Sequence, residues 1–191
     1  MSVLLEMRGI RKSFYGNEVL HSVDLTLEAG TVLALMGENG AGKSTMMNIL
    51  VGIHKRDGGT IRIDGQEVNI ESPHDAQKLG IAMIHQELSS VVEMSVAENI
   101  YLGREPVKNG FIDYRKMYKD TEYWLHEVKM DFNPKAQLGD LSIGQMQSVE
   151  IAKAVSHQAK VVIFDEPTSS LSDNEVEALF RIMNDLRDKG V

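Results

Sequence analysis

The apolar positions of the chain fall into short runs of strand length, separated by stretches with helical spacing. Two long runs near the N-terminus surround the turn residues Gly16 and Asn17 and predict two strands joined by a turn. The run TVLALM, 31–36, is apolar without interruption, which is typical of a strand buried on both faces of a sheet. The strand-like segments are 2–10, 18–27, 31–36, 60–68 around a turn at Asp64 and Gly65, 81–87 and 161–164.

Helical spacing follows several of these runs. The segment KSTMMNILVG, 43–52, has apolar residues at helical intervals, and another helix is predicted near 114–128. Three further helices begin with the capping-box pattern, a serine followed three residues later by Glu or Gln, at Ser95, Ser142 and Ser172. Strands that alternate with helices predict an α/β protein with a mostly parallel sheet.

Composition narrows the class of protein. The 191 residues are enough for one domain, or for a domain with a subdomain. The net charge of −8 argues against broad nucleic-acid binding through phosphate neutralisation. The absence of cysteine excludes disulfides, thiolate metal sites and a cysteine nucleophile. No signal-peptide pattern opens the chain and no window has the apolar length of a membrane span, so we expect any membrane role to need a partner.

The segment GENGAGKST matches the P-loop pattern and lies between a predicted strand and a predicted helix. Its glycines let the backbone curl so that N–H groups point at phosphate oxygens, and the helix N-terminus adds unpaired donors. Lys43 would place its charge near the β- and γ-phosphates, and Ser44 would offer a hydroxyl to Mg²⁺. The alternative is a glycine-rich connector, against which the strand–loop–helix context counts. The predicted phosphate-binding residues are Gly37, Glu38, Asn39, Gly40, Ala41, Gly42, Lys43, Ser44 and Thr45.

Two acids, Asp165 and Glu166, end the predicted strand at 161–164. In open α/β sheets the carboxyl ends of strands face the ligand crevice, where one acid can hold Mg²⁺ and the other can orient an attacking water. Spacing does not decide which acid has which role, and adjacent acids that open a solvated loop are the alternative. Gln86, at the end of another predicted strand, could add an oxygen to the metal or sense the γ-phosphate; a plain polar strand end is the alternative there.

The segment LSIGQMQ, 141–147, lies between the P-loop and the acidic pair, and it resembles the signature motif of ABC-transporter ATPases. The order P-loop, Gln86, signature, acidic pair and TSSLS matches that family along essentially the whole chain. The resemblance implies an α/β P-loop NTPase with a RecA-like, mostly parallel sheet, an N-terminal antiparallel β part and a helical subdomain. It implies an ATP-binding core at 1–87 and 158–191 and the helical subdomain at 88–157.

The same resemblance implies a role for each site residue. An aromatic ring stacks on adenine, with Phe14 as first choice and Tyr15 as second. The N-terminus of the signature helix is a second anion site, which in the family reaches the γ-phosphate of ATP held by a partner domain. An ordinary capped amphipathic helix is the alternative for 141–155. The implied residues are Lys43 and Glu166 for catalysis, Ser44, Gln86 and Asp165 for Mg²⁺, and Gln86, Ser142, Gly144 and Gln145 for contact with the nucleotide.

Within the family, five segments look like those of the first nucleotide-binding domain of monosaccharide-importer ATPases of the galactoside and ribose type. These segments are MGENGAGKST, HQELS, SVAENIYLG, LSIGQMQSVEIAKA and IFDEPTSSLS. This implies ATP hydrolysis with Mg²⁺ that powers sugar import. The implied partners are a second nucleotide-binding domain, packed head to tail and fused or homologous, transmembrane permease subunits and, indirectly, a sugar-binding protein, without nucleic acid. The implied location is peripheral, on the cytoplasmic side of the cell membrane.

The chain departs from the family pattern at two points. Ser172 stands where many members carry an Asp, with Asp173 next, so the resemblance does not extend to a cross-dimer role of that carboxylate. The switch histidine of the family would follow the next strand, and the chain ends at Val191 before it. We therefore expect this stretch to bind nucleotide and to hydrolyse it poorly without the rest of the protein.

Two other classes of function compete with this one. A soluble ABC-type ATPase acting in DNA repair or translation is the first, and the compact stretch 86–142, without cysteines or heptads, counts against it. A regulator that binds nucleotide without hydrolysing it is the second, and the presence of Glu166 counts against that class. The sequence does not identify the sugar.

Overall fold

The computed structural model describes residues 2–85, 90–169 and 171–191. The chain forms two compact units, of which the first comprises Met1–Ala82, Ala159–Ile163 and Leu186–Val191, and the second Met83–Gln158 and Phe164–Asp185. The division into core and helical subdomain given above stays a prediction. In chain order the elements are β1 (Val3–Phe14), β2 (Asn17–Glu28), α1 (Lys43–Leu50), β3 (Gly58–Ile63), β4 (Gln66–Val68), α2 (Pro73–Lys78), β5 (Ile81–Ile84), α3 (Val96–Tyr101), β6 (Val107–Lys108), β7 (Phe111–Ile112), α4 (Tyr114–Glu127), α5 (Ile143–Ser156), β8 (Val161–Phe164) and α6 (Asp173–Asp188), with a 3₁₀ turn at Leu138–Asp140.

The first unit contains a four-stranded antiparallel sheet in the order β2–β1–β3–β4. Alternate apolar residues place one face of this sheet in the core, because successive side chains of a strand point to opposite faces. Leu5 of β1 pairs with Ile63 of β3, and Met7 pairs with Ile61, with Met7 and Ile61 fully buried. The N-terminal antiparallel part and the turn at Asp64 and Gly65 are confirmed.

The second unit contains a cluster of three helices, α3, α4 and α5, which pack on one another. Their fully buried side chains come from apolar positions at helical spacing, which form one face of each helix. The largest of these side chains are Ile100, Met117, Leu125 and Ile151, and Leu138 of the 3₁₀ turn between α4 and α5 is also fully buried. In the described parts of the chain, we find no helix that combines the length and the apolar character required to cross a membrane.

Strands β5 and β8 pair with each other. The N–H of Val161 donates to the oxygen of Gly80 at 3.0 Å, and the N–H of Asp165 donates to the oxygen of Ile84 at 3.1 Å. Because the bonded residues advance together along both strands, the pair is parallel. Asp165 and Glu166 directly follow β8, the second strand of this pair.

The run 31–36 differs from the buried strand predicted for it. The structure gives it no strand, and the side chains of Val32, Leu33, Leu35 and Met36 are exposed by 42% to 88%. An apolar run predicts burial between neighbouring strands but does not supply those neighbours. Among the residues that the structure describes, β5 and β8 pair with each other and the antiparallel sheet is complete without this run, which therefore has no ladder partner.

Candidate functional site

The P-loop connects the exposed run 31–36 to helix α1. Gly42, its last residue before the helix, is buried and has φ +88°. A Cβ at this position would lie 2.6 Å from Cδ2 of Leu20 and 3.3 Å from the main-chain oxygen of Val19. Gly42 is therefore required both by its left-handed backbone and by its close approach to β2. This contact fixes where α1 begins.

The N-terminus of α1 is open. Helices α2, α3, α4 and α5 each have a serine or aspartate whose side chain accepts a bond from a first-turn N–H. Gly42 provides no such acceptor, and the first turn of α1 contains no acid. The N–H groups of this turn are thus available to an outside acceptor, and the helix dipole favours an anionic one.

Lys43 places its ammonium group over the loop that precedes it. Its Nζ donates to the main-chain oxygen of Gly37 at 2.6 Å and to that of Glu38 at 2.9 Å. The following residue, Ser44, is exposed in the first turn of the helix. A hydroxyl oxygen there is a ligand of the kind that Mg²⁺ accepts. The loop therefore combines a positive charge, free amide donors and an oxygen ligand within a few residues.

Of the two aromatic candidates, Phe14 is the last residue of β1 and Tyr15 begins the turn to β2, in the same unit as the P-loop. The ring of Phe14 packs edge-on against His54, with centroids 5.1 Å apart, and Lys12 Nζ lies 5.3 Å from its centroid. Tyr15 is fully exposed and has φ +50°. Tyr15 thus has the ring that is more open to a planar ligand, and the choice between them stays a prediction.

The acidic pair lies in the second unit, where β8 ends. Asp165 extends the strand through its bond to Ile84 and is half-buried. Glu166 is exposed and has φ +44°, a left-handed conformation that costs about 1–3 kcal/mol in a residue other than glycine. Conformations of this kind concentrate at functional sites, because the turn aims a side chain that an extended strand would point elsewhere.

Gln147 supports the loop that follows Glu166, a role that sequence reasoning missed. Its side chain is only 7% exposed, and Nε2 donates to the main-chain oxygen of Pro167 at 3.1 Å. The bond joins α5 to the turn that carries the acid. Helix α5 has other buried polar residues, Ser148, Glu150 and Ser156, and no pattern in the sequence distinguishes Gln147 from them.

The signature helix begins with the predicted capping box. Ser142 Oγ accepts from the N–H of Gln145 at 3.3 Å, and Gln145 Oε1 accepts from the N–H of Ser142 at 2.9 Å. The capping box is thus confirmed. Gly144, in the first turn, has no room for a side chain, because a Cβ would lie 2.6 Å from Oε1 of Glu175.

Glu175 binds the start of two helices. Its Oε1 accepts from Ser142 Oγ at 2.9 Å and from the N–H of Gly144 at 3.2 Å. Its Oε2 accepts from the N–H of Ser172 at 3.0 Å and from Ser172 Oγ at 2.8 Å. These bonds, above all that from the Ser172 N–H, lower the pKa of Glu175 from 4.5 to about 2. The capping-box pattern predicted the contact with Ser172 but gave no sign of the reach to Ser142.

The predicted site residues are thus divided between the two units. Phe14, Tyr15 and the P-loop belong to the first unit, and Ser142, Gly144, Gln145, Asp165 and Glu166 to the second. Gln86 lies outside the described residues. Within the described ranges no three His, Asp or Glu residues gather into a metal cluster. Ser44 and Asp165 offer the oxygen ligands that suit Mg²⁺, and the metal set stays a prediction.

Solved structures share this fold over the whole chain. The ADP conformation of an ATP-binding cassette of an ABC transporter covers 100% of this chain and 79% of its own, at 25% identity and a TM-score of 0.86. A nucleotide-free ATP-binding cassette from an ABC transporter has the same coverage and identity, with a TM-score of 0.85. These likenesses confirm the predicted α/β P-loop NTPase class.

Curated relatives are similar along nearly the full chain. The galactose/methyl galactoside import ATP-binding protein MglA 1 of Photobacterium profundum is 50% identical over 191 residues, which is 99% of this chain and 38% of the relative. A putative ribose/galactose/methyl galactoside import ATP-binding protein 2 of Agrobacterium fabrum is 53% identical over 98% of this chain and 37% of its own length. The chain therefore spans less than two fifths of the relatives that it matches.

A family model described as ABC transporter matches residues 20–169. The matched segment is more than half of the chain and includes the P-loop, the signature segment and the acidic pair. The resemblance predicted from these motifs is confirmed. The chain belongs to the ABC transporter family.

Proposed function

We propose that this chain is the ATP-binding and ATP-hydrolysing domain of a protein that powers the import of a sugar of the monosaccharide and galactoside class. The observation that carries the proposal is the open N-terminus of α1 with Lys43 beside it, in a chain about 50% identical to proteins named for galactose and methyl galactoside import. The relatives reported above are import proteins, so no observation favours the soluble alternative in DNA repair or translation.

Binding of the nucleotide begins at the P-loop. Among the described residues, no N-cap side chain accepts from the N–H groups of the first turn of α1, and these groups point the positive end of the helix dipole at the phosphates. Lys43 exchanges its bonds to the oxygens of Gly37 and Glu38 for bonds to phosphate oxygens, which carry more negative charge. Phe14 or Tyr15 stacks on the adenine ring.

Hydrolysis depends on the acid at the end of β8. Glu166 orients a water and accepts its proton as the oxygen attacks the γ-phosphorus and the bond to the ADP oxygen breaks. Ser44, Gln86 and Asp165 would hold Mg²⁺, which when bound neutralises charge on the phosphate oxygens. Gln147, through Pro167, keeps the turn that aims Glu166 in place.

The signature residues serve a second nucleotide. Ser142, Gly144 and Gln145 contact the γ-phosphate of ATP held by a partner nucleotide-binding domain, packed head to tail. Closing and opening of this pair drives transmembrane permease subunits, to which a sugar-binding protein delivers the sugar, so the protein works at the cytoplasmic side of the membrane. The length of the relatives beyond the matched segment supports a second domain in the same polypeptide.

The first test measures binding of Mg-ATP to the full-length protein by calorimetry. We expect Lys43→Ala to weaken binding at least about tenfold, since a charge-assisted bond to phosphate contributes more than about 1.4 kcal/mol. Lys108→Ala, which removes an exposed lysine from β6, is the matched control and should bind as the wild type does. Equal affinity of the Lys43 variant and the control would refute the P-loop assignment.

The second test addresses transport. The full-length protein is co-expressed with its neighbouring permease, and ATP hydrolysis is followed as binding proteins loaded with galactose, methyl galactoside or ribose are added. We expect one of these to stimulate hydrolysis and Glu166→Gln to abolish the stimulation while ATP binding is kept. Copurification with ribosomes or DNA, and not with membranes, would contradict sugar import.

A further inference from the structure

Glu175 joins the first turn of α5 to the residue that precedes α6. One carboxylate oxygen binds Ser142 and Gly144, 2.9 and 3.2 Å away, and the other binds both donors of Ser172. All four residues belong to the second unit, so the contact is internal to it. Glu175 is half-buried and ionised at neutral pH, so a full negative charge lies at the positive end of the α5 dipole.

The donors that Glu175 uses on α5 are the ones that the proposed function assigns to a phosphate. The hydroxyl of Ser142 and the N–H of Gly144 each have one proton to donate. A carboxylate oxygen and a phosphate oxygen therefore compete for them. The absence of a side chain at residue 144 makes room for this competitor, because a Cβ there would meet Oε1 at 2.6 Å and Cδ of Glu175 at 2.7 Å.

We propose that Glu175 competes with the nucleotide of the partner domain. Its carboxylate occupies the anion position at the N-terminus of the signature helix α5 until a γ-phosphate displaces it. This inference rests on the proposed function. Displacement requires only that Oε1 leave Ser142 and Gly144, because Oε2 keeps both bonds to Ser172. Ser172 thus holds the displaced carboxylate at the start of α6, from where Oε1 can bind Ser142 and Gly144 again.

The competition sets the nucleotide concentration at which the pair of domains closes. In the open state the carboxylate stabilises the donors, and in the closed state its charge lies close to phosphate oxygens of the same sign. Both effects oppose closure. When the γ-phosphate leaves after hydrolysis, Glu175 recovers its bonds, which favours opening. The residue therefore acts on the closing equilibrium and not on nucleotide capture by the P-loop.

The test uses full-length protein that carries Glu166→Gln, so that closed nucleotide is not hydrolysed. Labelled ATP retained through rapid desalting is measured against ATP concentration. We expect Glu175→Gln to lower the half-maximal concentration by about tenfold, the effect of removing one charge-assisted competitor. Binding to the P-loop, measured by calorimetry under conditions that prevent closure, should not change.

Two control variants separate competition from charge and from capping. Glu177→Gln makes the same charge change two residues along α6, at an exposed carboxylate paired with Arg181, and should leave the midpoint where it is. Asp113→Ala removes the side-chain cap of α4, a helix of the same unit, without touching Glu175 or the α5 donors. An unchanged or raised midpoint for Glu175→Gln, or an equal decrease for either control, would overturn the proposal while leaving ATP binding, and with it the proposed function, intact.

A measurement on the unsubstituted side chain decides the matter if the variants fold poorly. The carbon-13 signal of the Glu175 carboxyl is followed in the full-length protein as Mg-ATP is added in the Glu166→Gln background. We expect it to shift as the bonds to Ser142 and Gly144 are exchanged for solvent. A signal that stays constant while nucleotide is retained would show that the carboxylate is not displaced. Loss of ATP binding altogether would instead refute the proposed function and this inference with it.

Discussion

The side chain of Gln147 donates a hydrogen bond from Nε2 to the main-chain oxygen of Pro167 at 3.1 Å. The amide lies on the buried face of α5, and the proline directly follows the proposed catalytic acid. The turn that sets the left-handed backbone of Glu166 is therefore held from the side by a helix of the same unit.

Replacement of Gln147 by alanine should lower the free energy of unfolding by about 1 kcal/mol, the net contribution of one hydrogen bond with a buried partner. Steady-state hydrolysis by the full-length protein should fall more than ATP affinity, because the bond positions Glu166 and not the P-loop. The control is Gln137→Ala, at an exposed glutamine of the same unit. Equal losses of hydrolysis in both variants would argue against a positioning role.

Gly42→Ala should destabilise the protein more than Gly16→Ala. Both glycines have nearly the same left-handed φ, +88° and +85°, so the backbone strain is matched. A Cβ at residue 42 meets Leu20 at 2.6 Å, whereas a Cβ at residue 16 meets nothing within 4 Å. Overpacking of this kind costs about 1–3 kcal/mol, and urea unfolding of the two variants measures the difference. Equal unfolding midpoints would show that β2 yields to the added methyl group.

Stability should depend on Glu175 in a defined range of pH. Its pKa is about 2 in the folded protein against an ordinary value of 4.5, because four donors stabilise the charged form. The stabilisation is therefore complete above pH 4.5 and is lost as the pH falls towards 2. The difference in free energy of unfolding between wild type and Glu175→Gln should shrink across this range, and Glu177→Gln should show no such trend.

His157 should change the free energy of unfolding at higher pH than Glu175 does. Burial, with the positive charges of Arg104 and Lys153, lowers the pKa of His157 from 6.5 to about 4. The unfolded chain takes up a proton near pH 6.5 that the folded protein accepts only near 4, so stability falls as the pH decreases between these values. His157→Gln should flatten that part of the profile, as urea titrations at each pH would show. The exposed His126 is the control position.

Features governed by a few neighbouring residues were predictable. The capping boxes at Ser95 and Ser142 form as predicted, because a serine and an acceptor three residues on satisfy each other's backbone donors within one turn. The hairpin at Asp64 and Gly65 follows in the same way from the turn residues between alternating strands. The P-loop was recognised from the spacing of its glycines and lysine between a predicted strand and a predicted helix, and the signature segment was recognised from its resemblance to that of ABC-transporter ATPases.

Features that join distant parts of the chain were not predictable from one sequence. Glu175 meets Ser142 across 33 positions, and Gln147 meets Pro167 across 20. Neither pair leaves a periodic pattern, since each contact depends on how the helices pack. The apolar run 31–36 was predicted as a strand from its composition, and no strand pairs with it among the residues that the structure describes. The domain division and the roles of the individual site residues stay predictions.

The exposed segment from Val32 to Met36 has a practical consequence for work with this polypeptide. The segment is uncharged and apolar, and it lies outside every sheet that the structure describes. A second molecule can therefore pair a strand with its exposed backbone. We therefore expect the 191-residue chain to aggregate in concentrated solution, which an increase in light scattering with time would measure. Leu33→Lys should prevent this increase.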